Sequence, residues 1–569
     1  MARVPALALV EWQQLIDWLW VLKNSVWLNG MAAAIAGLSW ADFVSVRSSR
    51  QLGTVVKEPS ISLWLVAAWA LVSGGLHSAA NTVKEGVLSL ARLCALSIAA
   101  LALHWAVRKV TTWMAVPSLI KRLAARWPVP WLEKAACWIA QTELWLLLAL
   151  TPFFMFPNAL TPVLMPLLIV PWLARKLTQG RFTRRTCIDW PVVMIALMLP
   201  ASLWVSPDLS RSLPKLYGIL VSMAAFYGVV NHVLGARQAW MSGLGIALLG
   251  AVVSALALVG TDWHVGWLSV KSPIPETVYR YLPTLIRGVP GAAELGFHPN
   301  EVGAALCLFA PLAASLLLLG LGPLAEGSVK SHQWLLQGAL ALALVVMLAT
   351  AILTGSRSTW LGLAIALCVV LALRYRRAAL GLFLLVILLV VWYVSSLRPQ
   401  LGPAMLPAVQ RDLAWREEIW ASALAMIRDS PWTGVGLNAF PLVANGSYPV
   451  RSFTQQEVLQ LTHAHNVFLQ VAVDLGIPGL VAYVAVLVGF ASAAYSVYRR
   501  CQTRQLRAVV VGLACSMLAY HVYGLTDCMT LGAKPGLLIW VMWGLMAALA
   551  NLSWSGGEAV EDPDGLASS

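Results

Sequence analysis

The sequence predicts an all-α integral membrane protein: about 12 core transmembrane helices, about 3 more ahead of them, and a helical subdomain built from an outer-face loop. Three observations carry that prediction. Of 569 residues, 59% are hydrophobic and 11% charged, and the mean hydropathy is +0.75. A soluble domain carries roughly 25% charged residues, so too little charge is left here to coat a water-facing surface. The apolar residues also fall in continuous runs of the length that crosses about 30 Å of hydrocarbon as a helix. These runs do not alternate with polar residues, which excludes a closed β-barrel. An ordinary soluble enzyme and a disordered chain are excluded on the same grounds.

Taken in order, residues 1–137 read as an N-terminal membrane extension, with apolar runs near 26–44, 61–80 and 88–107. A basic amphipathic stretch follows, from Arg108 to Lys134, with Lys121, Arg122 and Arg126 among Trp and Leu, suited to lie on the inner membrane surface. The first apolar stretch carries Glu11 and Asp17 and lacks a basic start, so no cleavable signal peptide is expected. The first part of the transmembrane core covers 138–396, with runs at 138–156, 158–174, 188–205, 215–234, 239–260, 300–322, 335–354, 358–374 and 378–396. A large loop spans 397–465. The core ends over 466–551, with runs at 466–497, 508–526 and 535–551, and an acidic tail covers 552–569.

Orientation follows from the preference of Lys and Arg for the cytoplasmic side. The strongest basic loops, Arg175–Arg185, Arg374–Arg377 and Arg499–Arg507, fall on one side if every run is a span. The net charge of +14 sits in such short clusters, the pattern of membrane loops and not of a nucleic-acid patch. The eight cysteines form no C-x-x-C pair, and Cys94, Cys307, Cys368 and Cys515 lie within apolar runs, as packing thiols do. Of 28 tryptophans, Trp138, Trp263, Trp267 and Trp432 stand at span ends, where an interfacial belt is expected.

The outer face then owns two long loops, 261–299 and 397–465. In the second, Trp415, Ile419, Leu424 and Ile427 are spaced as the apolar stripe of an amphipathic helix, which ends before Pro431 and turns through Gly434 and Gly436. Loops of this length in a compact protein usually carry function or are disordered.

Three residues stand where apolar helices meet this outer face: Arg287 in the first loop, Arg357 at the start of one span and His465 at the start of another. Arginine pairs with phosphate oxygens through charge-assisted forks. A histidine can take a proton from an attacking hydroxyl. Taken one at a time, each residue also fits an interfacial anchor or a helix cap. Arg411 and Arg416 are further cations of the large loop, and Arg411 equally fits a solvated helix face. No site for a metal is expected: the outer acids are scattered, and His463 with His465 is a weak ligand spacing. There is no phosphate loop or dinucleotide fingerprint, so energy for a reaction must arrive in the substrate.

The motifs around these residues resemble a known family. Arg357-Ser-Thr-Trp-Leu361 fits R-x-x-x-L, and His465-Asn466 followed after nine residues by Gly476 fits H-[NSQ]-x9-G. Arg416-Glu-Glu-Ile-Trp420, the run from Asp429 to Phe440 and the run from Phe297 to Gly303 are similar to its loop signatures. The family is the O-antigen ligase/polymerase superfamily; the likeness covers 215–500 and extends to the 12-helix core. It implies a metal-independent, inverting membrane glycosyltransferase without a cofactor. The donor would be a glycan on undecaprenyl pyrophosphate, and the acceptor a lipid or protein hydroxyl at the outer face of the cytoplasmic (inner) membrane. Arg287 and Arg357 would bind the pyrophosphate, and His465 would activate or orient the hydroxyl. Arg416, Arg411 and Asn466 would contact substrate. Polysaccharide polymerases and proteins labelled bicarbonate transporters share the superfamily. A transporter should carry ionisable groups near the membrane midplane. Only Asp474 is so placed, where it also fits a polar contact within the bundle.

Overall fold

The computed structural model describes residues 130–554 apart from 265–273, 290–293, 322–329, 376, 378–380, 382–405, 451–462 and 502. The N-terminal extension up to residue 129, the 378–396 run apart from residue 381, the acidic tail beyond Trp554 and Trp267 lie outside the described residues. So do the side chains of 406–414, Arg411 among them.

Among the described residues the regular elements are helices, with one isolated bridge between Thr261 and Phe297. They are α1 (Pro130–Gln141), α2 (Glu143–Met155), α3 (Val170–Gln179), α4 (Asp189–Val205), α5 (Leu209–His232), α6 (Ala236–Gly260) and α7 (Pro299–Ser315). Then come α8 (Lys330–Leu353), α9 (Arg357–Arg374), α10 (Leu406–Asp429), α11 (Phe440–Ser447), α12 (Val467–Arg500), α13 (Arg504–Gly524) and α14 (Gly536–Trp554). Eight are long and apolar enough to cross a membrane: α5–α9, with α7 extended by a π turn, and α12–α14. The pair α1–α2, bent by 65°, would make nine. The described residues are helical, and the chain is a multi-pass membrane protein.

Prolines account for the run that hydropathy alone reads as a span near 158–174. Pro162, Pro166 and Pro171 each stand in the first turn of a new short element, so the segment breaks into Thr161–Leu164, a 3-10 turn at Met165–Leu168, and α3. Proline fits a first turn and is excluded from the interior of a straight helix. The 188–205 run forms the 17-residue α4.

The centre of the bundle is α7, buried along almost its whole length. It runs antiparallel to α13. Ser315 Oγ donates to the Ala508 carbonyl at 2.7 Å, Ser516 Oγ to that of Leu308 at 2.6 Å, and Tyr523 Oη to that of Asn300 at 3.2 Å. Small residues let the backbones meet: a Cβ on Gly362 of α9 would lie 2.4 Å from the Ala519 carbonyl oxygen, and one on Gly512 would lie 2.5 Å from the Leu312 side chain. At the end of α13, Gly524 abuts Val467 at the start of α12. This register brings the starts of α7, α9 and α12 and the end of α13 to one end of the bundle.

The segment after α10 locks onto α12. Val435 N–H donates to the Val473 carbonyl at 2.8 Å, and Ile477 N–H to that of Pro431 at 2.7 Å. Gly434 and Gly476 both have positive φ (+68° and +71°), and a Cβ on either would strike the other segment's backbone. Gly476 thus kinks α12 where residues 431–435 cross it, which explains a glycine at that distance from His465. Asp474 accepts from Gln470 Nε2 at 2.9 Å and from Asn438 N–H at 3.2 Å, so it joins the same crossing.

Two local expectations change. The buried stripe of α10 is Ile419, Ala423 and Met426, while Leu424 is 55% exposed. Ala423 and Met426 follow Ile419 at i+4 and i+7, whereas Leu424 at i+5 turns well away from that face. Trp263 is buried and not interfacial: it stacks on Tyr279 and donates its indole N–H to the Leu258 carbonyl.

Candidate functional site

The helix ends gathered by this packing enclose a cavity of about 220 Å³, lined by residues that include His298, Asn300, Arg357, Trp415, Arg416, His465 and Asp527. Each is placed by a local rule. His298 caps α7, its Nδ1 accepting from Asn300 N–H at 3.3 Å. Ser356 caps α9, its Oγ accepting from Thr359 N–H, so Arg357 is the first residue of that helix. The next residue, Ser358, shares a 2.6 Å hydroxyl contact with Thr526. Arg416 projects from α10, donates to the Thr526 carbonyl and lies over the ring of Trp415 at 5.0 Å.

His465 precedes α12 with φ +49°, a left-handed backbone that few non-glycine residues adopt. Asn466 explains part of this. Its Oδ1 caps α12 by accepting from the N–H groups of Phe468 and Leu469 at 3.0 and 3.1 Å, and its Nδ2 donates to the Leu525 carbonyl at 3.0 Å. The Asn466 side chain is therefore engaged with backbone and does not line the cavity. The His465 ring meets the Trp415 ring edge-on at 5.0 Å, and its Nδ1 sits 3.2 Å from Asp527 Oδ1.

Asp527 is buried and held on several sides. Asn300 Nδ2 donates to its Oδ2 at 2.9 Å, Cys528 N–H donates to its Oδ1 at 2.8 Å, and His463 Nε2 lies 3.6 Å from Oδ1. Burial opposes its charge, but the contacts with His465 and His463 and the Cys528 N–H outweigh it and hold the carboxyl below the usual carboxylate range. His463 is the reverse case. Burial, then the neighbouring His465 ring, push it down to about 3, so the ring is neutral.

The structure thus brings Arg357, Arg416 and His465 to one cavity. Arg287 is exposed in the segment after the short helix Glu276–Arg280 and is not among the residues lining that cavity. The flanking backbone holds that segment beside the end of α6, with Leu285 N–H on the Val259 carbonyl and Gly288 N–H on that of Glu294.

Asp527 and His298 are cavity residues that sequence reasoning missed. Asp527 lies in an unpatterned loop after α13: the end of α13 against the start of α12 brings it to His465, and the antiparallel register of α13 on α7 brings it to Asn300. The run from Phe297 to Gly303 is legible only as a likeness to the family, and its Asn300 holds that aspartate.

His463, His465 and Asp527 also form a group that could hold a metal ion, with one ligand atom each within 4.8 Å of one another. The donor types suit zinc. The hydrogen bonding does not: His463 Nδ1 accepts from His465 N–H at 3.2 Å, which leaves the ring's proton on Nε2, facing Asp527. A metal on Nε2 would force that proton to Nδ1, against the His465 N–H.

What these helices and this cavity define is a multi-pass membrane protein with a cationic, histidine-containing cleft at one end of its bundle. Residues 342–484 match the family model described as O-Antigen ligase. A curated O-antigen ligase of Pseudomonas aeruginosa is 30% identical over 204 residues, 35% of this chain and 44% of that protein, so the chain spans less than half of the relative's length. Both findings support the O-antigen ligase superfamily that the motifs resemble. The matched segment contains Arg357, Arg416 and His465; Asn300 and Asp527 lie outside it.

Proposed function

We propose that the chain is a metal-independent, inverting glycosyltransferase of the O-antigen ligase type. It passes a glycan from undecaprenyl pyrophosphate to an acceptor hydroxyl, on a lipid or a protein, at the outer face of the cytoplasmic membrane. The observation that carries this reading is the contact between His465 Nδ1 and Asp527 in a cavity that also holds Arg357 and Arg416.

A carboxylate on Nδ1 orients the ring and stabilises its protonated form, which leaves Nε2 to take a proton from the acceptor hydroxyl. The freed oxygen attacks the anomeric carbon from the side opposite the pyrophosphate, and one displacement inverts that centre. Arg357 and Arg416 offer guanidinium groups to the departing pyrophosphate; Arg287, carried over from the family by topology and spacing to Arg357, would join them from outside the cavity lining, and Arg411 is carried by the same helix as Arg416. Asn466 serves by capping α12 directly behind His465. The outer-face position rests on the basic ends of α9 and α12: Arg374 and Arg500 stand at the ends opposite the cavity, where the preference of basic residues points to the cytoplasm.

The test is transfer of a labelled glycan from its lipid pyrophosphate carrier by the purified full chain in nanodiscs, with product mass identifying the acceptor. Transfer that persists in EDTA supports the reading. Activity lost in EDTA and restored by Mg²⁺, Mn²⁺ or Zn²⁺ overturns its metal independence. Successive repeat units added on one lipid would make the chain a polymerase, and solute uptake into vesicles without transfer would make it a transporter.

A further inference from the structure

We infer that His463 is a positioning residue: one neutral ring fixes both the backbone of His465 and the carboxylate that the His465 side chain meets. The inference rests on the reading above, in which His465 handles the acceptor proton.

Three observations converge on this ring. First, His465 has a left-handed backbone, φ +49°, a conformation that is strained for a non-glycine residue and persists only where its surroundings impose it. The His465 N–H is held by His463 Nδ1 at 3.2 Å, a turn closed by a side chain two residues earlier. On the other side Asn466 begins α12 and ties itself to the Leu525 carbonyl. His465 is thereby pinned from both neighbours.

Second, the opposite nitrogen of the same ring faces Asp527 Oδ1 at 3.6 Å, the oxygen that His465 Nδ1 approaches at 3.2 Å. Because Nδ1 is committed as an acceptor, Nε2 carries the proton and presents it to the carboxylate. With Asn300 on Oδ2, Asp527 is then held from both of its oxygens.

Third, the ring works as a neutral group. It is 16% exposed and lies 4.4 Å, centroid to centroid, from the His465 ring. A positive charge there would oppose any protonation of His465. A neutral donor gives geometry without that penalty. The pair His463-Ala464-His465 in sequence therefore has two unlike members: one ring turned inward to hold, the other left at the cavity.

The test compares His463→Ala, His463→Asn and His465→Ala in the purified full chain, assayed for glycan transfer with donor concentration varied, and checked for monodispersity and thermal midpoint. Asparagine keeps an acceptor at the δ position within reach of the His465 N–H, and alanine keeps none. His463→Ala is expected to lower kcat by ~10–10² with KM for the donor unchanged, the size of effect that a misplaced reacting group produces. His463→Asn is expected to recover most of that loss. Wild-type kcat in His463→Ala overturns the inference, as does an Asn variant no better than Ala. A loss expressed in KM alone also overturns it, since that would make His463 a substrate contact. One zinc ion bound per chain, dependent on His463 and required for activity, would overturn it in favour of a metal site. Failure of the underlying reading looks different: His465→Ala would then transfer at the wild-type rate whatever His463 does.

Discussion

Two buried histidine–carboxylate groups sit at opposite ends of α5, and they differ in what surrounds them. At its C-terminal end, Glu143 pairs with Arg175 at 2.5 Å, both almost fully buried, and His232 Nδ1 lies 3.5 Å from the same carboxylate. The His232 nitrogens also face the carbonyls of Gly228 and Gln141, at 2.8 and 3.1 Å, and Arg175 donates to the Ala140 carbonyl. Near the N-terminal end of α5, where Lys215 Nζ donates to Thr530, the loop that carries Asp527 meets His465 beside the cavity. In the first group both histidine nitrogens are occupied by backbone. In the second, one His465 nitrogen lies 3.2 Å from a carboxylate and the other, among the described residues, is left open to the cavity. A buried charge alone therefore does not mark a site; an uncommitted nitrogen next to open volume does.

That contrast can be broken by substitution. The largest expected effect belongs to Asp527→Asn, which removes the charge behind His465 and should lower kcat for transfer by ~10²–10⁴ while the chain still purifies as a monodisperse species. A wild-type rate would remove Asp527 from the account. Next is Arg357→Lys, which keeps a positive charge and loses the fork; a fall of ~10–10² in kcat/KM is expected in the same assay. Glu143→Ala should act on the other quantity. It strands Arg175 in a buried position, a change that costs about 3–5 kcal/mol, so the thermal midpoint should drop while kcat at low temperature is retained. Lost turnover at an unchanged midpoint would erase the distinction between the two groups.

How much of this was legible beforehand depended on whether the signal was local. R-x-x-x-L and H-[NSQ]-x9-G are chain-local patterns, and they led to Arg357, His465 and Gly476. Helix existence was legible in the same way, since α5–α9 and α12–α14 follow the apolar runs. Asp527 was not legible, because its relation to His465 is made where the end of α13 packs on the start of α12 and leaves no spacing to read. The closeness of His463 and His465 is not legible either, because an i, i+2 pair diverges on a helix; the left-handed turn at His465 is what brings the two rings together. Hydropathy also summed across Pro166 and Pro171 and could not see the breaks that they impose.

A further expected effect is a pH dependence. In the folded protein burial depresses His463 from its ordinary 6.5 to about 3. Between those values the unfolded chain binds the extra proton, so the His463 contribution to stability is present above about pH 6.5 and is lost as pH falls towards 3. The thermal midpoint of the wild type should therefore fall more between pH 7 and pH 4 than that of His463→Asn. Parallel curves would show that His463 does not titrate in this way.

The most direct measurement sets the two histidines side by side: His465→Ala and His232→Ala, each assayed for transfer of a labelled glycan from its lipid pyrophosphate carrier in nanodiscs. His465→Ala should lose ~10²–10⁴ in turnover with its thermal midpoint preserved, and His232→Ala should keep its turnover. A His465→Ala protein that transfers at the wild-type rate would contradict the assignment of His465 as the base and, with it, the functional reading of the cavity.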